Sequence, residues 1–400
     1  MQVLEGTHVL DFTRHMSGPY ATLLLGDFGA DVVKVESMPE GDPARYIGTA
    51  FISGESGVFL HWNRSKRSLA LDMRKPESRE IVQRLVKRSD LLVENFRPGV
   101  AETMGIGYEE VSALNDQLVY LSISAFGQHG PIAQYPGTDP VVQAMSGVMS
   151  ITGNKGGAPV LVGLPIADFT AAMVSVQAAL LGLLARYRTG RGQRIDVPML
   201  AALVFGLTTR LATHWISGEE PQPEGSAHST VTPYQLYKVQ DGNIVAGAWT
   251  RETWPRFCTA IGMPDLAKDE RFTDNRQRMK HRTELNAVLE PLFASHTVLH
   301  WEERFHEANA LFGPVCTVSQ ALAHPQMQAL GMVQSVEHPT AGRIPQLAPP
   351  IFMSETPGGI ARPPPLFGEH TVEILSELGY SMAEIDRFAG TKLVHAHGHS

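Results

Sequence analysis

The sequence predicts an α/β fold built on a mostly parallel sheet. In the first half, short apolar runs alternate with helix-like segments, and the runs are apolar at consecutive positions, as strands covered on both faces must be. A change of character near Glu219 predicts a second, smaller domain. "HVLDF" opens as a strand, followed by a loop through Ser17, Gly18 and Pro19 and the helix "YATLLLGDFG". "ADVVKVE" and "SLALDM" are the next strands, and "PESREIVQRLVKRS" is an amphipathic helix opened by proline and acids. "DLLVEN" and "LVYLSIS" follow as strands. From Phe169 the apolar residues recur at helical spacing until Arg188, Thr189 and Gly190, a basic and glycine-bearing end.

Past Glu219, "SGEEPQPEGSAHSTVTP" is rich in turn formers and reads as a surface connection. "NIVAGAWT" is a strand, and "RETWPRFCTAIG", "RTELNAVLEPLFAS" and "VLHWEERFHEANA" are helices. After "GPVCTV" come strand-like, proline-rich pieces and the helix "TVEILSELG", which returns to the first domain. Residues 1–218 and 316–400 are therefore assigned to a large discontinuous domain and 219–315 to a small one. The tail histidines His395, His397 and His399 read as a frayed terminus rather than a metal site.

Composition narrows the function. A net charge of -8 without a long basic block argues against nucleic acid. The best membrane candidate, Met173 to Leu184, is short and broken by Ser175 and Gln177. The first residues lack the basic and apolar regions of a secretory signal, so a cytoplasmic address is expected. Cys258 and Cys316 are too few for a disulfide framework and read as core thiols. Where a G-x-G-x-x-G turn would follow the first strand, "DFTRHMSGP" stands instead. There is no Walker loop, G-x-S-x-G elbow or H-E-x-x-H pair.

What remains is a set of loops at strand ends, where open α/β sheets bind ligands. Arg64, Lys66, Arg67, Arg74 and Lys75 surround one strand, and Asn95 and Arg97 follow the next. Each alone is a solvated charge; together they form a pocket for a polyanion such as a phosphorylated cofactor. Phe96 and Met104 offer either an apolar wall for a flat ring or ordinary core packing. Asp168 stands alone between an apolar run and an apolar helix. By position it reads as the helix N-cap.

Taken in order, "VLDFTRHMSGPYATLLLGDFGADVVKVE", "NRSKRSLALDM", "LLVENFRPG", "SAFGQHGP" and "GLPIADF" resemble the class III CoA-transferase family, the CaiB/BaiF group. The resemblance continues through "DERFTDNRQRMKHR", "GPVCTVSQALAHPQ" and "LFGEHTVEIL". It implies a Rossmann-like large domain made from both ends of the chain, a smaller α+β domain, and an interlocked homodimer. It implies acyl-CoA and carboxylic acid substrates, with no metal and no permanently bound cofactor. Coenzyme A would lie along Met16 and Ser17, Leu71, Asp72, Met73 and Arg74, and Asn95, Phe96 and Arg97. The family's nucleophilic aspartate falls on Asp168, which then forms an aspartyl-CoA thioester.

The same family includes 2-methylacyl-CoA racemases, whose pattern has a histidine before an aspartate; here Thr138 precedes Asp139. Threonine does not exchange a proton near neutral pH, so the racemase reading is disfavoured. Asp139 either shapes the active site or forms a turn. Met16 in the first loop and the lack of a glycine run in the small domain count against the formyl and oxalate branch. "TPYQLY" resembles branches handling dicarboxylates or carnitine-like acids, which would bring Thr232 and Tyr234 to the substrate. A dicarboxylate acceptor with a succinyl-CoA donor is expected, and a CoA-binding protein without catalysis is the remaining alternative.

Overall fold

The computed structural model describes residues 1–398, so His399 lies outside the described residues. The chain forms two compact units: one of residues 1–148, 161–212 and 326 onward, the other of 149–160 and 213–325. The expected boundaries lay at 218/219 and 315/316. Residues 149–160 group with the second unit, where the Gly225 amide donates to the Gly153 carbonyl at 2.9 Å.

The first unit is built on seven strands: β1 (His8–Asp11), β2 (Asp31–Ser37), β3 (Lys66–Leu71), β4 (Leu91–Glu94), β5 (Val119–Ser124), β6 (Arg194–Pro198) and β7 (Val394–His395). Their order is β7-β3-β2-β1-β4-β5-β6, parallel throughout except for β7, which runs antiparallel to β3. The parallel strands thus have the 3-2-1-4-5-6 order of a Rossmann sheet. Leu10, Val33, Leu69 and Leu92 on one face meet Ile81 and Leu85 of helix α2 (Ser78–Arg88). Val9, Val32, Leu91 and Val93 on the other join a core containing Leu25 of α1 (Ser17–Asp27) and Ala171 and Ala179 of the long helix after Pro165. Burial on both faces explains why these strands are continuously apolar.

Helix α3 (Asp139–Met145) precedes the long helix α4 (Ile166–Thr189). By length and composition α4 is able to cross a membrane, contrary to the sequence expectation. Its role here is to cover the sheet. A Cβ on Gly182 would lie 2.6 Å from Val119, so glycine permits the close helix–strand approach.

Three further expectations are corrected. The basic residues around β3 do not form an open polyanion pocket. Arg64 pairs with Asp27 at 2.7 Å, Lys66 with Asp11 at 3.0 Å, and Arg67 with Asp31, Glu373 and Glu377. Arg74 pairs with Asp72 at 2.8 Å, and Lys75 donates to the Thr391 carbonyl. His395 is not frayed: it belongs to β7, opposite Ala70. Cys258 is buried as expected, but Cys316 is exposed.

The second unit holds an antiparallel sheet of Tyr234–Val239, Gly242–Gly247 and Leu311–Pro314. Helices Thr253–Ala260, Arg282–Phe293 and Val298–Glu307 contribute Phe257, Phe293, Trp301 and Phe305 to its core.

Candidate active site

Strand order reverses at β1, so the connections after β1 and β4 leave in opposite directions and open a crevice at the carboxyl edge of the sheet. A cavity of about 350 Å³ lies there, lined by residues that follow β1 and β4, the end of β5, and the starts of α3 and α4.

Buried carboxylates fix the first loop. Asp11 accepts from the Thr13 amide at 2.8 Å and from the Thr22 hydroxyl at 2.7 Å, beside its pairing with Lys66. Burial alone would raise its pKa; Lys66, Lys34 and the two hydroxyls overcome that and bring it to about 2. Lys34 donates to the Thr13 carbonyl at 2.7 Å and pairs with Asp42 at 2.8 Å, and Asp42 in turn accepts from the His15 amide at 3.1 Å. His15 adopts a left-handed conformation, φ 62°, and the chain then turns into α1 with Met16 and Ser17 facing the cavity. Gly18 is required for this turn: a Cβ would fall 2.3 Å from Thr13 Cβ.

The second loop is tied to the first. The Asn95 side chain accepts from the Arg14 amide at 2.8 Å and donates to the Arg14 carbonyl at 2.7 Å. Beneath it, buried Glu94 accepts from the Phe96 amide at 2.8 Å; desolvation pushes Glu94 up to about 7. Phe96 is buried and Arg97 exposed, and both line the cavity with Asn95.

At the start of α4 the capping residue is not Asp168. Pro165 occupies the N-cap position, and the Asp139 carboxylate, carried on α3, reaches across to the first turn. Its Oδ1 accepts from the amides of Ala167 at 2.7 Å and Asp168 at 3.2 Å, and its Oδ2 accepts from Gln143 Nε2 at 2.6 Å. The side-chain Oε1 of Gln143 accepts from the Val162 amide at 3.0 Å, which completes the arrangement. Asp139 therefore does the work first read into Asp168, whose half-buried side chain lines the cavity instead. Burial and the negative charge of Asp139 push Asp168 up to about 6; hydrogen bonds from the Ser17 hydroxyl and amide pull the other way.

Met16, Ser17, Asn95, Phe96, Arg97, Asp139 and Asp168 thus converge on one cavity. Leu71, Asp72, Met73 and Arg74 lie outside it, at the end of β3; Leu71 pairs with Val394 and Met73 packs on the core. Thr232 and Tyr234 belong to the second unit. Thr232 is fully buried, its carbonyl accepting from Arg278 at 2.7 Å, and Tyr234 stacks on His228 with centroids 5.6 Å apart. Sequence reading overlooked His15, Trp62 and Tyr135, which line the cavity, and Gln143. Gln143 alone had a legible sign, its i+4 spacing from Asp139.

The sequence pattern of CoA-transferase family III matches residues 4–371. The chain belongs to that family. Among family III proteins it is 36% identical to succinyl-CoA:glutarate CoA-transferase of Mus musculus, over 99% of this chain and 91% of that protein. It is also 36% identical to succinate--glutarate CoA-transferase of Agrobacterium fabrum, over 94% and 95% of the two chains. The crystal structure of a CAIB/BAIF family protein from Brucella suis superposes with a TM-score of 0.84 at 35% identity, covering 94% of this chain and 99% of that one. The chain is a class III CoA-transferase, and CoA thioesters are its substrates.

Proposed function

We propose that this CoA-transferase moves CoA from succinyl-CoA to a dicarboxylate acceptor of four or five carbons, through a CoA thioester on Asp168. The observation that carries the reading is the freed carboxylate: Asp139 caps α4, so Asp168 lines the cavity and makes no ion pair with a basic side chain among the described residues. Partial burial strips water from the carboxylate and raises its basicity, yet at neutral pH most of it remains ionised. Both properties favour attack by an otherwise weak nucleophile.

An Asp168 oxygen attacks the thioester carbonyl, the C–S bond breaks, and CoA thiolate leaves a mixed anhydride. The thiolate attacks the aspartyl carbonyl and the donor acid departs as its carboxylate, leaving aspartyl-CoA. The acceptor carboxylate attacks that thioester and expels the thiolate; the second anhydride is then split by the thiolate at the acceptor's carbonyl. Acyl-CoA product and the Asp168 carboxylate result, with no net proton consumed. The Ser17 amide and hydroxyl, which already donate to Asp168, are suited to receive the charge that develops on its carbonyl oxygen. Racemisation would need a proton carrier beside the acyl α-carbon, and Thr138 supplies none.

The dicarboxylate assignment rests on the glutarate activities of the two relatives and on the motif "TPYQLY". Incubation with succinyl-CoA followed by peptide mass measurement is the test. A CoA adduct on the Asp168 peptide, absent in Asp168→Ala, is expected, with glutarate discharging it. An adduct from another acyl-CoA alone would replace the donor. Solvent deuterium entering a branched acyl-CoA without any adduct would overturn the transfer mechanism.

A further inference from the structure

Among the described residues lining the cavity, only His15 and Arg97 have side chains able to carry positive charge. Arg97 falls in the segment that the family resemblance gives to coenzyme A. His15 has no such assignment. Its backbone is held firmly: the His15 amide donates to Asp42 at 3.1 Å, and Asp42 is itself locked by Lys34 at 2.8 Å and by the Ala44 amide at 2.9 Å. The residue sits at φ 62°, in the left-handed region that glycine occupies without strain. A side chain is thus kept where the backbone favours none. That side chain is exposed and makes no hydrogen bond or ion pair with the other described residues.

What such a group meets follows from its neighbours. Ser17, two residues on, donates its hydroxyl and its amide to Asp168. Successive Cα atoms lie about 3.8 Å apart, so those of His15 and Ser17 are within about 7 Å of each other. The carbonyl carbon under attack lies at Asp168. In a four- or five-carbon dicarboxylate the far carboxyl carbon is about 4–5 Å away from it, at about 1.5 Å per C–C bond. That second carboxylate enters a cavity walled in part by Ile47, Trp62 and Phe96, where an anion without a donor is costly. Asp139 repels it, and both Asp139 oxygens are taken. An imidazole N–H supplies the bond whether the ring is neutral or protonated.

We propose that His15 selects dicarboxylates, by donating to the free carboxylate of the succinyl donor and of the acceptor in turn. The assignment rests on the CoA-transferase reading and names the residue that makes it specific. The experiment compares succinyl-CoA with butyryl-CoA, equal in carbon number and different at the terminal carboxylate. The readout is the single-turnover rate of CoA adduct formation on the Asp168 peptide. His15→Gly removes the imidazole and leaves the backbone unstrained. Loss of a charge-assisted contact predicts a preference for succinyl-CoA reduced by about 10- to 100-fold. His15→Lys restores a donor and a charge and should recover part of that preference; a loss that lysine does not recover is structural and overturns the proposal. An unchanged preference in His15→Gly overturns it too. Equal slowing of both thioesters, or weakened calorimetric binding of CoA itself, marks a displaced loop and does the same. So does a preference lost in Arg97→Ala but kept in His15→Gly. Failure of the unaltered protein to form an adduct with either thioester would instead overturn the functional reading. Adducts formed without preference would leave transfer in place and overturn the dicarboxylate assignment, and the role of His15 with it.

Discussion

Asp139 and Asp168 meet the same helix end but do different things there. Asp139 is held by amide donors, whereas Asp168 is raised to about 6 by burial and by Asp139's charge. The proposed attack requires Asp168 as the carboxylate, so kcat/KM is expected to fall as pH drops through about 6. Replacing Asp139 with asparagine keeps an acceptor oxygen for the helix amides and removes the charge. The acidic limb should then move to lower pH, because the ionised form of Asp168 is no longer opposed. An unmoved limb in a pH–rate profile would assign the limb to another group. The motif pointed to Asp168, which lines the cavity, but its release from capping was not legible, because the carboxylate that replaces it lies in a different helix.

At the scale of elements, the helix cap and the first loop make separable predictions. Asp139→Ala leaves the Ala167 and Asp168 amides and the Gln143 side chain without their acceptor, at a cost of about 1–3 kcal/mol; Asp139→Asn should recover most of it in denaturant unfolding. Gly18→Ala drives a methyl into Thr13 and should cost about 1–3 kcal/mol while weakening CoA binding, since Met16 and Ser17 must shift with the loop. Unfolding and calorimetry on the same variant distinguish a displaced loop from a merely weaker fold. The central strands were legible because two buried faces force runs such as Leu91, Leu92 and Val93. β6 was not: it is an edge strand in which Arg194 and Asp196 remain exposed and only Val197 is buried. β7 has two residues, too few for any periodicity to register.

Across the first unit as a whole, opposed charges are sunk beneath the loops that frame the cavity: Asp11 with Lys66, Lys34 with Asp42, Glu36 with Arg45, and Asp27 with Arg64. Lys66→Met strands the Asp11 carboxylate in the interior and should cost about 3–5 kcal/mol in denaturant unfolding. A near-neutral result would mean that the surrounding hydroxyls suffice. Asp11 also ties stability to acidity. Its folded pKa, about 2, lies below the ordinary carboxylate value, so its contribution is complete above pH ~4 and fades as pH falls toward 2. None of these pairings was visible beforehand. Two of their basic members, Arg64 and Lys66, occur in one stretch, "NRSKR", and read as surface charge until segments far apart in the chain bring acids to meet them.

The short strand β7 closes the outer side of β3, and the Leu393 carbonyl receives the Asp72 amide at 2.8 Å. During synthesis, β3 leaves the ribosome long before the segment that covers it. The nascent polypeptide therefore carries a row of unpaired peptide groups beside an already collapsed core for most of its elongation, an invitation to wrong partners.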